Sequence, residues 1–299
     1  MNIAQLDQNF GIANTVKFIE GQGGLPFIQI HTDKAQALIS VYAGQVLSFK
    51  PVSQEADLMF LSTKAYYQAG KAIKGGVPIC WPWFGADPEG KGRPAHGFVR
   101  NRMWDVIQTD LNSKGEVKVT LGLNDTPETQ AIWPYSFQLR LVITISETLG
   151  LELITHNTGN QAFTITQAFH TYFGVKDIHR ATVTGLDGKS YLDKVDASQQ
   201  KQQSGDVKIS SEVDRIYLDV SNELTIHDAA MNRQIIIRSQ GSQTAVVWNP
   251  WEKIAKEMAD LLDDDYLRLL CVETTNAAAD TILIQPGGQF SLIAHYQVK

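Results

Sequence analysis

The sequence predicts an all-β protein with few short helices. Helical periodicity is scarce along the 299 residues. Short blocks rich in β-branched and aromatic residues recur instead, and turn clusters separate them. Examples are Gln22-Gly23-Gly24, Asn157-Thr158-Gly159-Asn160 and Gly185-Leu186-Asp187-Gly188. Many strands at short spacing with almost no helix indicate a β-sandwich or barrel.

The elements follow from local pattern. The apolar-rich stretch 139–154 is broken by Ser146, Glu147, Gly150 and Glu152, so it is no membrane span. Residues 162–174 alternate as one strand. Phe163, Ile165, Phe169 and Phe173 point one way, and Thr164, Thr166, Ala168, His170 and Tyr172 the other. The polar segment 193–211, with Gln199, Gln200, Gln202 and Gln203, reads as a surface loop or mobile excursion. Residues 233–239, 244–248 and 267–274 read as strands. Between them Ile254, Met258, Leu261 and Leu262 fall near one face of a helix over 251–262. Residues 281–284 and 290–298 flank Gln285-Pro286-Gly287-Gly288-Gln289 and read as a hairpin.

No linker, low-complexity tract or repeat interrupts the chain, so 1–299 is expected to form a single β-domain. A chain this long buries a large core without disulfides or metals. Its net charge of -6 argues against a nucleic-acid partner. Cys80 and Cys271 have no partner at metal-ligand spacing, which suggests a reducing compartment and no metal site. The start, MNIAQLDQNFG, lacks a basic segment followed by an apolar run. The expectation is a cytoplasmic monomer with no cofactor and no membrane partner. Gly188-Lys189-Ser190 is not a P-loop, because Val183 stands where its first glycine belongs. Gly21-Gln22-Gly23 fails as a dinucleotide fingerprint at Pro26, and neither G-x-S-x-G nor H-E-x-x-H occurs.

Chemistry concentrates in three places. Between residues 71 and 104, Lys71, Lys74, Lys91, Arg93, Arg100 and Arg102 face only Asp87 and Glu89, a balance of +4 inside an acidic chain. Such an island attracts an anion, and the glycines at 75 and 76 let backbone N–H groups approach one. If residues 94 onward form a strand, His96, Phe98, Arg100 and Arg102 share a face. His170, among hydroxyls on the polar face of its strand, is either a structural histidine or a proton donor near neutral pH. Glu273 shares a face with Leu269 and Cys271. It reads as a partly buried carboxylate, either a structural cap or a general acid or base. Asp214 is a weaker candidate for polar ligand groups. Trp81, Trp83, Trp133, Trp248 and Trp251 each read first as core residues, although an aromatic face also stacks on a sugar ring.

Taken together, these segments resemble one family. Lys-Gly-Gly-Val-Pro-Ile-Cys-Trp-Pro-Trp-Phe-Gly at 74–85 and Pro-Ala-His-Gly-Phe-Val-Arg-Asn at 94–101 come first. Phe-His-Thr-Tyr-Phe at 169–173, Glu-Val-Asp-Arg-Ile-Tyr at 212–217 and Val-Glu-Thr-Thr-Asn-Ala at 272–277 follow in family order. The chain resembles the hexose-6-phosphate mutarotases, or glucose-6-phosphate 1-epimerases, of the aldose-1-epimerase superfamily. The resemblance implies a galactose-mutarotase-like supersandwich of mostly antiparallel strands. It also implies interconversion of the α and β anomers of a hexose 6-phosphate. By the same resemblance His170 and Glu273 are the catalytic pair, Lys74 and Arg100 lie on the phosphate side, and Asp214 and His96 contact the sugar. The family often carries arginine where this chain has Lys74, and lysine keeps the charge without the bidentate fork.

Anomer exchange needs one group to take a proton from the C1 hydroxyl and another to protonate the ring oxygen, with no metal or nucleotide. Glu273 suits the base and His170, as imidazolium, the acid. Two other readings fit less of the pattern. They are a mutarotase for free aldoses, with the basic island unrelated to substrate, and a non-catalytic sugar-binding protein on the same fold. A glycosidase lacks a second convincing carboxylate.

Overall fold

Antiparallel sheets of nine, eight, four and two strands hold nearly all the regular structure of residues 2–299, which the computed structural model describes. The α-helices are three and short: Ile3–Phe10, Pro127–Ile132 and Trp251–Glu257. The nine-stranded sheet is centred on Gln289–Val298, paired with Arg233–Gln240 on one side and Leu149–Asn157 on the other. The eight-stranded sheet is centred on Leu269–Asn276, paired with Thr244–Asn249 on one side. On the other side Gln167–Phe169 and Tyr172–Gly174 pair with it in succession.

The two large sheets lie face to face. Phe173 packs edge-on against Tyr296 at 5.2 Å between ring centroids, and the Thr171 and Tyr296 hydroxyls bond at 2.6 Å. The Ser239 and Thr274 hydroxyls bond at 2.8 Å. Leu269–Asn276 is buried along its whole length, and its alternation sorts the two faces. Leu270 and Val272 join the main apolar core, whereas Leu269 and Cys271 join a smaller cluster with Phe60 and Tyr172. Glu273 therefore lies on the face turned away from the nine-stranded sheet, with Leu269 and Cys271, as expected from sequence.

Several local expectations need correction. Residues 162–174 do not form one strand but three pieces, Phe163–Ile165, Gln167–Phe169 and Tyr172–Gly174. The alternation nonetheless persists, with Phe163, Ile165, Phe169 and Phe173 all in the core. Residues 94–102 are not a strand: Gly97 has φ 74° and a 3-10 turn covers Val99–Asn101. A Cβ at Gly97 would lie 1.8 Å from the Trp81 carbonyl oxygen, so only glycine lets the two backbones meet there. Phe98 consequently turns into the core while His96 and Arg100 do not. The segment 193–211 is not a loop throughout: Ser190–Asp193 pairs with Gln199–Gln202 at the edge of the eight-stranded sheet, and Val207–Lys208 pairs with Ala181–Thr184 in the nine-stranded one. The expected C-terminal hairpin is absent. Ile282–Ile284 pairs with Phe163–Ile165, and Gln289–Val298 joins the large sheet. The predicted helix over 251–262 stops at Glu257.

The four-stranded sheet, Val16–Glu20 to Gln45–Pro51, braces the loop that carries Lys74. Gln45 is fully buried, and its Nε2 donates to the carbonyls of Ile73 at 3.2 Å and Gly75 at 2.6 Å. Tyr42 Oη donates to the Lys71 carbonyl at 2.6 Å. Gln45→Ala strands two carbonyls with no donor. We expect a loss of about 1–3 kcal/mol for each carbonyl that stays dry, read from urea unfolding. An unchanged midpoint would show that this brace carries no weight.

Candidate active site

Cross-strand register builds the floor of a cavity. Asp214 pairs with Trp248, Trp248 with Cys271, and Cys271 with Tyr172. In the neighbouring row Leu192 pairs with Ile216, Ile216 with Val246, and Val246 with Glu273. Residues paired across strands share a face. This is the face turned away from the nine-stranded sheet, and all of these residues except Cys271 line one cavity of ≈ 600 Å³. That volume is ordinary for a small-molecule site. Loops complete the walls with Lys74, Phe84, His96 and Arg100 on one side and Lys194 and Ser198 on the other.

All six residues singled out in the sequence, Lys74, His96, Arg100, His170, Asp214 and Glu273, line this cavity. The rest of the basic island goes elsewhere. Arg93 pairs with Asp87 and Glu89, and Lys91 with Glu89. Arg102 pairs with Glu128, and Lys71 lies over the Tyr66 ring. Two cations of the six therefore serve the cavity.

His170 sits at the break between two strand pieces. Phe169 pairs with Thr274 and Tyr172 with Cys271, so the register across the gap is unshifted and places His170 opposite Glu273. The His170 N–H donates to the Pro78 carbonyl at 3.0 Å, in register with the pairing of Gln167–Phe169 with Ile79–Cys80. Its Nδ1 lies 3.4 Å from Glu273 Oε1. Neither Nδ1 nor Glu273 Oε2 has a hydrogen-bond partner among the described residues, although both are buried. Buried polar groups are normally paired, so two orphans in one cavity mark a place built for a ligand or for proton transfer. Tyr172 stacks on His170 at 4.9 Å and 13°, and Trp248 meets both rings edge-on.

Charge in the cavity is held against solvent preference. Burial and the nearby Asp214 push the Glu273 carboxyl well above the carboxylate range. Burial, then His96, Arg100 and Lys74, push His170 well below the usual imidazole value. The imidazolium assigned from sequence is thus opposed in the protein alone, where burial favours the neutral form of both partners. His96 falls to about 3 through burial, Arg100 and Lys74. Its Nδ1 accepts the Gly85 N–H at 3.2 Å, which leaves the proton on Nε2. Burial lowers Lys74, and Asp260 at 3.5 Å opposes that effect.

The sequence offered no metal-ligand spacing, yet the fold brings one donor atom each of His170, Cys271 and Glu273 within 4.8 Å of one another. These donors suit a divalent cation poorly. Burial and Glu273 hold the Cys271 thiol well above its ordinary value, and Lys74 and Arg100 charge the same cavity positively. Sequence reasoning gave no site role to Tyr172, Lys194 or Asp260 and read Trp248 first as a core residue. Tyr172 was already visible on the His170 face. The others adjoin the site only through strand pairing and loop packing, which no local pattern encodes.

Among known proteins, the Aldose 1-epimerase family model matches residues 26–297. A protein of Cenchrus ciliaris named "Putative glucose-6-phosphate 1-epimerase" is 38% identical over 263 residues, which cover 85% of this chain and 78% of the relative. An Escherichia coli protein of the same name is 35% identical over 85% of this chain and 84% of its own length. The crystal structure of a "putative mutarotase" from Salmonella typhimurium superposes with TM-score 0.90 at 30% identity, covering 97% of this chain and 95% of that one. A galactose mutarotase-like protein from Clostridium acetobutylicum shares the fold at 14% identity, with TM-score 0.70 over 95% of this chain and 98% of that one. The architecture is galactose-mutarotase-like. Among the described residues no helix is long and apolar enough to cross a membrane.

Asp214 gives a stability test. Burial, with Glu212 and Asp193 nearby, raises it to about 6, and Lys194 only partly opposes this. Its folded value exceeds the unfolded one, so its protonation stabilises the fold at low pH and that contribution is lost as pH rises through about 6. At neutral pH the ionised carboxylate costs at most about 3 kcal/mol. Asp214→Asn should therefore be the more stable protein at pH 7.5, with the advantage vanishing below about pH 4, as measured by urea unfolding across pH. A variant less stable at pH 7.5 would contradict this.

Proposed function

From the premise that this chain belongs to the aldose 1-epimerase family, we propose that it interconverts the α and β anomers of a hexose 6-phosphate through His170 and Glu273. The observation that carries the assignment of residues is the orphaned, buried His170–Glu273 pair, set in a cavity whose loop wall also presents Lys74 and Arg100.

Ring opening moves one proton at each end of the breaking bond. The Glu273 carboxylate takes the proton of the C1 hydroxyl. The C1–O5 pair leaves with O5 as the carbonyl forms, and O5 takes a proton from His170. After rotation about C1–C2, neutral His170 recovers the O5 proton. O5 then attacks the other carbonyl face, and Glu273 returns its proton to O1. The pair carries the same total number of protons before opening and after it, so no external acid or base is consumed. Burial favours the neutral pair, which is the state that follows ring opening. Trp248 offers an aromatic surface for the apolar side of the ring, and Asp214 offers an acceptor to its hydroxyls. Lys74 and Arg100 hold the phosphate, far from C1, so that its binding energy orients the ring.

The free-aldose alternative requires Lys74 and Arg100 to be idle. Lys74 is not placed as a surface charge is: its side chain is 18% exposed and, among the described residues, keeps a single carboxylate neighbour, Asp260.

Two outcomes test this reading. Glu273→Gln and His170→Ala should each lose about 10²–10⁴-fold in turnover while circular dichroism and melting show an intact fold. Near wild-type turnover in either folded variant removes that residue from its role. Arg100→Ala should lose roughly 10–150-fold in kcat/KM on glucose 6-phosphate, Lys74→Ala no more than that, and Lys74→Arg should be neutral or better. The same variants should show no comparable loss on free glucose, which has no phosphate to lose. Equal losses on both substrates would favour the free-aldose reading.

A further inference from the structure

We propose that the substrate's phosphate does more than anchor: by neutralising Lys74 and Arg100 it enables His170 to hold the proton that ring opening requires. The inference rests on the hexose-phosphate reading above and adds an electrostatic role for a group remote from the chemistry.

The argument begins with what surrounds His170. Tyr172, from the same chain segment, stacks on the ring and brings no charge. From the paired strand come Glu273 at 3.4 Å and the buried Cys271 thiol. Trp248 closes the next strand position. From the loops, the neutral His96 ring stands 5.5 Å away, and Arg100 and Lys74 line the same cavity behind it. Asp214 lies further along the floor and is half protonated near pH 6. His170 thus has one carboxylate in contact, itself driven toward neutrality, and Lys74 and Arg100 across a low-dielectric space, while the third cation of the cavity, Lys194, stands on the opposite wall and acts on Asp214.

The two cations are unevenly compensated. Lys74 has Asp260 at 3.5 Å. Arg100 has no carboxylate within salt-bridge distance among the described residues, and its Nη2 donates only to the Ala95 carbonyl at 3.0 Å. A phosphate dianion placed between them supplies about two negative charges, enough to cancel both. The effect on the pair is asymmetric. Lys74 and Arg100 lie on the loop wall with His96, whose ring meets His170 at 5.5 Å, so both weigh against the protonated imidazole, whereas on Glu273, across the floor, Arg100 is the one of the two that weighs appreciably. Neutralising them therefore strengthens the hold of His170 on a proton more than that of Glu273. The imidazolium–carboxylate form needed for ring opening gains relative to the neutral pair.

The consequence is that phosphate should raise turnover as well as affinity, even when it is not attached to the sugar. The test is polarimetric mutarotation of free glucose with added inorganic phosphate at fixed ionic strength, subtracting the rate without protein at each phosphate concentration. We expect a saturable activation on the order of tenfold, lost in Arg100→Gln. A second readout is the titration of the His170 Cε1–H by NMR, identified by its absence in His170→Gln. It should move to higher pH on adding 1,5-anhydroglucitol 6-phosphate, which has no anomeric hydroxyl. If phosphate only inhibits the glucose reaction, or the His170 titration stays fixed at analogue concentrations that block turnover, the switch is wrong. A preference for glucose 6-phosphate expressed in KM alone would then leave the substrate reading standing. If glucose 6-phosphate turns over no better than glucose, the substrate reading falls, and the switch with it.

Discussion

The site depends on one constraint of β-pairing. The segment 167–174 keeps a single antiparallel register against Leu269–Asn276 while its ladder breaks at His170 and Thr171. A bulge of one residue there would send His170 to the other face of the sheet. Because the register holds, the imidazole stays opposite Glu273. On its other edge the segment keeps its pairing with the chain around Ile79–Cys80, and the His170 N–H continues it by donating to Pro78, which holds the residue in place while its ring lines the cavity. Thr171, one residue on, points into the core and is fixed there by Tyr296. The catalytic candidate is thus braced from behind by the packing of the two large sheets.

The same packing sets the electrostatics. Leu269–Asn276 is covered on both faces, so Glu273 is removed from water without a compensating hydrogen bond at Oε2. Leaving a carboxyl in that condition costs stability, as does ionising Asp214 two strands away. Both costs fall inside one cavity, where they tune proton affinity, and the rest of the fold is apolar enough to bear them. Lys74 is handled differently. Asp260 supports its charge from one side, and Gln45 and Tyr42 hold its loop from the other.

The loops do what strands cannot do here. Residues 74–85 and 94–101 approach each other so closely that the Gly97 Cα lies against the Trp81 carbonyl, and Trp81 fills the space below with Phe98, Trp133 and Phe137. This aromatic packing fixes a wall from which His96 and Arg100 extend. Rigid placement matters because an anion held by two cations can influence a neighbouring imidazole only if the distances do not fluctuate widely.

Much of this was legible in the sequence, for a physical reason. Alternation has period two, so the faces of 162–174 and 267–274 could be read locally, and with them the polar face carrying His170 and the apolar face carrying Glu273. The all-β class followed from the lack of helical periodicity, and the motif series resembled the family that the comparisons then supported. What local pattern could not decide was which strand lies beside which. The pairing of 214 with 248 and of 248 with 271 is long-range, and so is the capture of Ile282–Ile284 by Phe163–Ile165 in place of a C-terminal hairpin. The fate of the basic island was equally hidden. Six cations close in sequence look like one patch, but Asp87 and Glu89 of the same segment pair with Lys91 and Arg93, Glu128 of a neighbouring helix pairs with Arg102, and of the six only Lys74 and Arg100 reach the cavity. The sequence by itself determined the strand faces and the chemistry of the candidate residues. Tertiary structure decided their neighbours, and therefore their charge states, because burial and Coulomb fields depend on distances through space rather than along the chain.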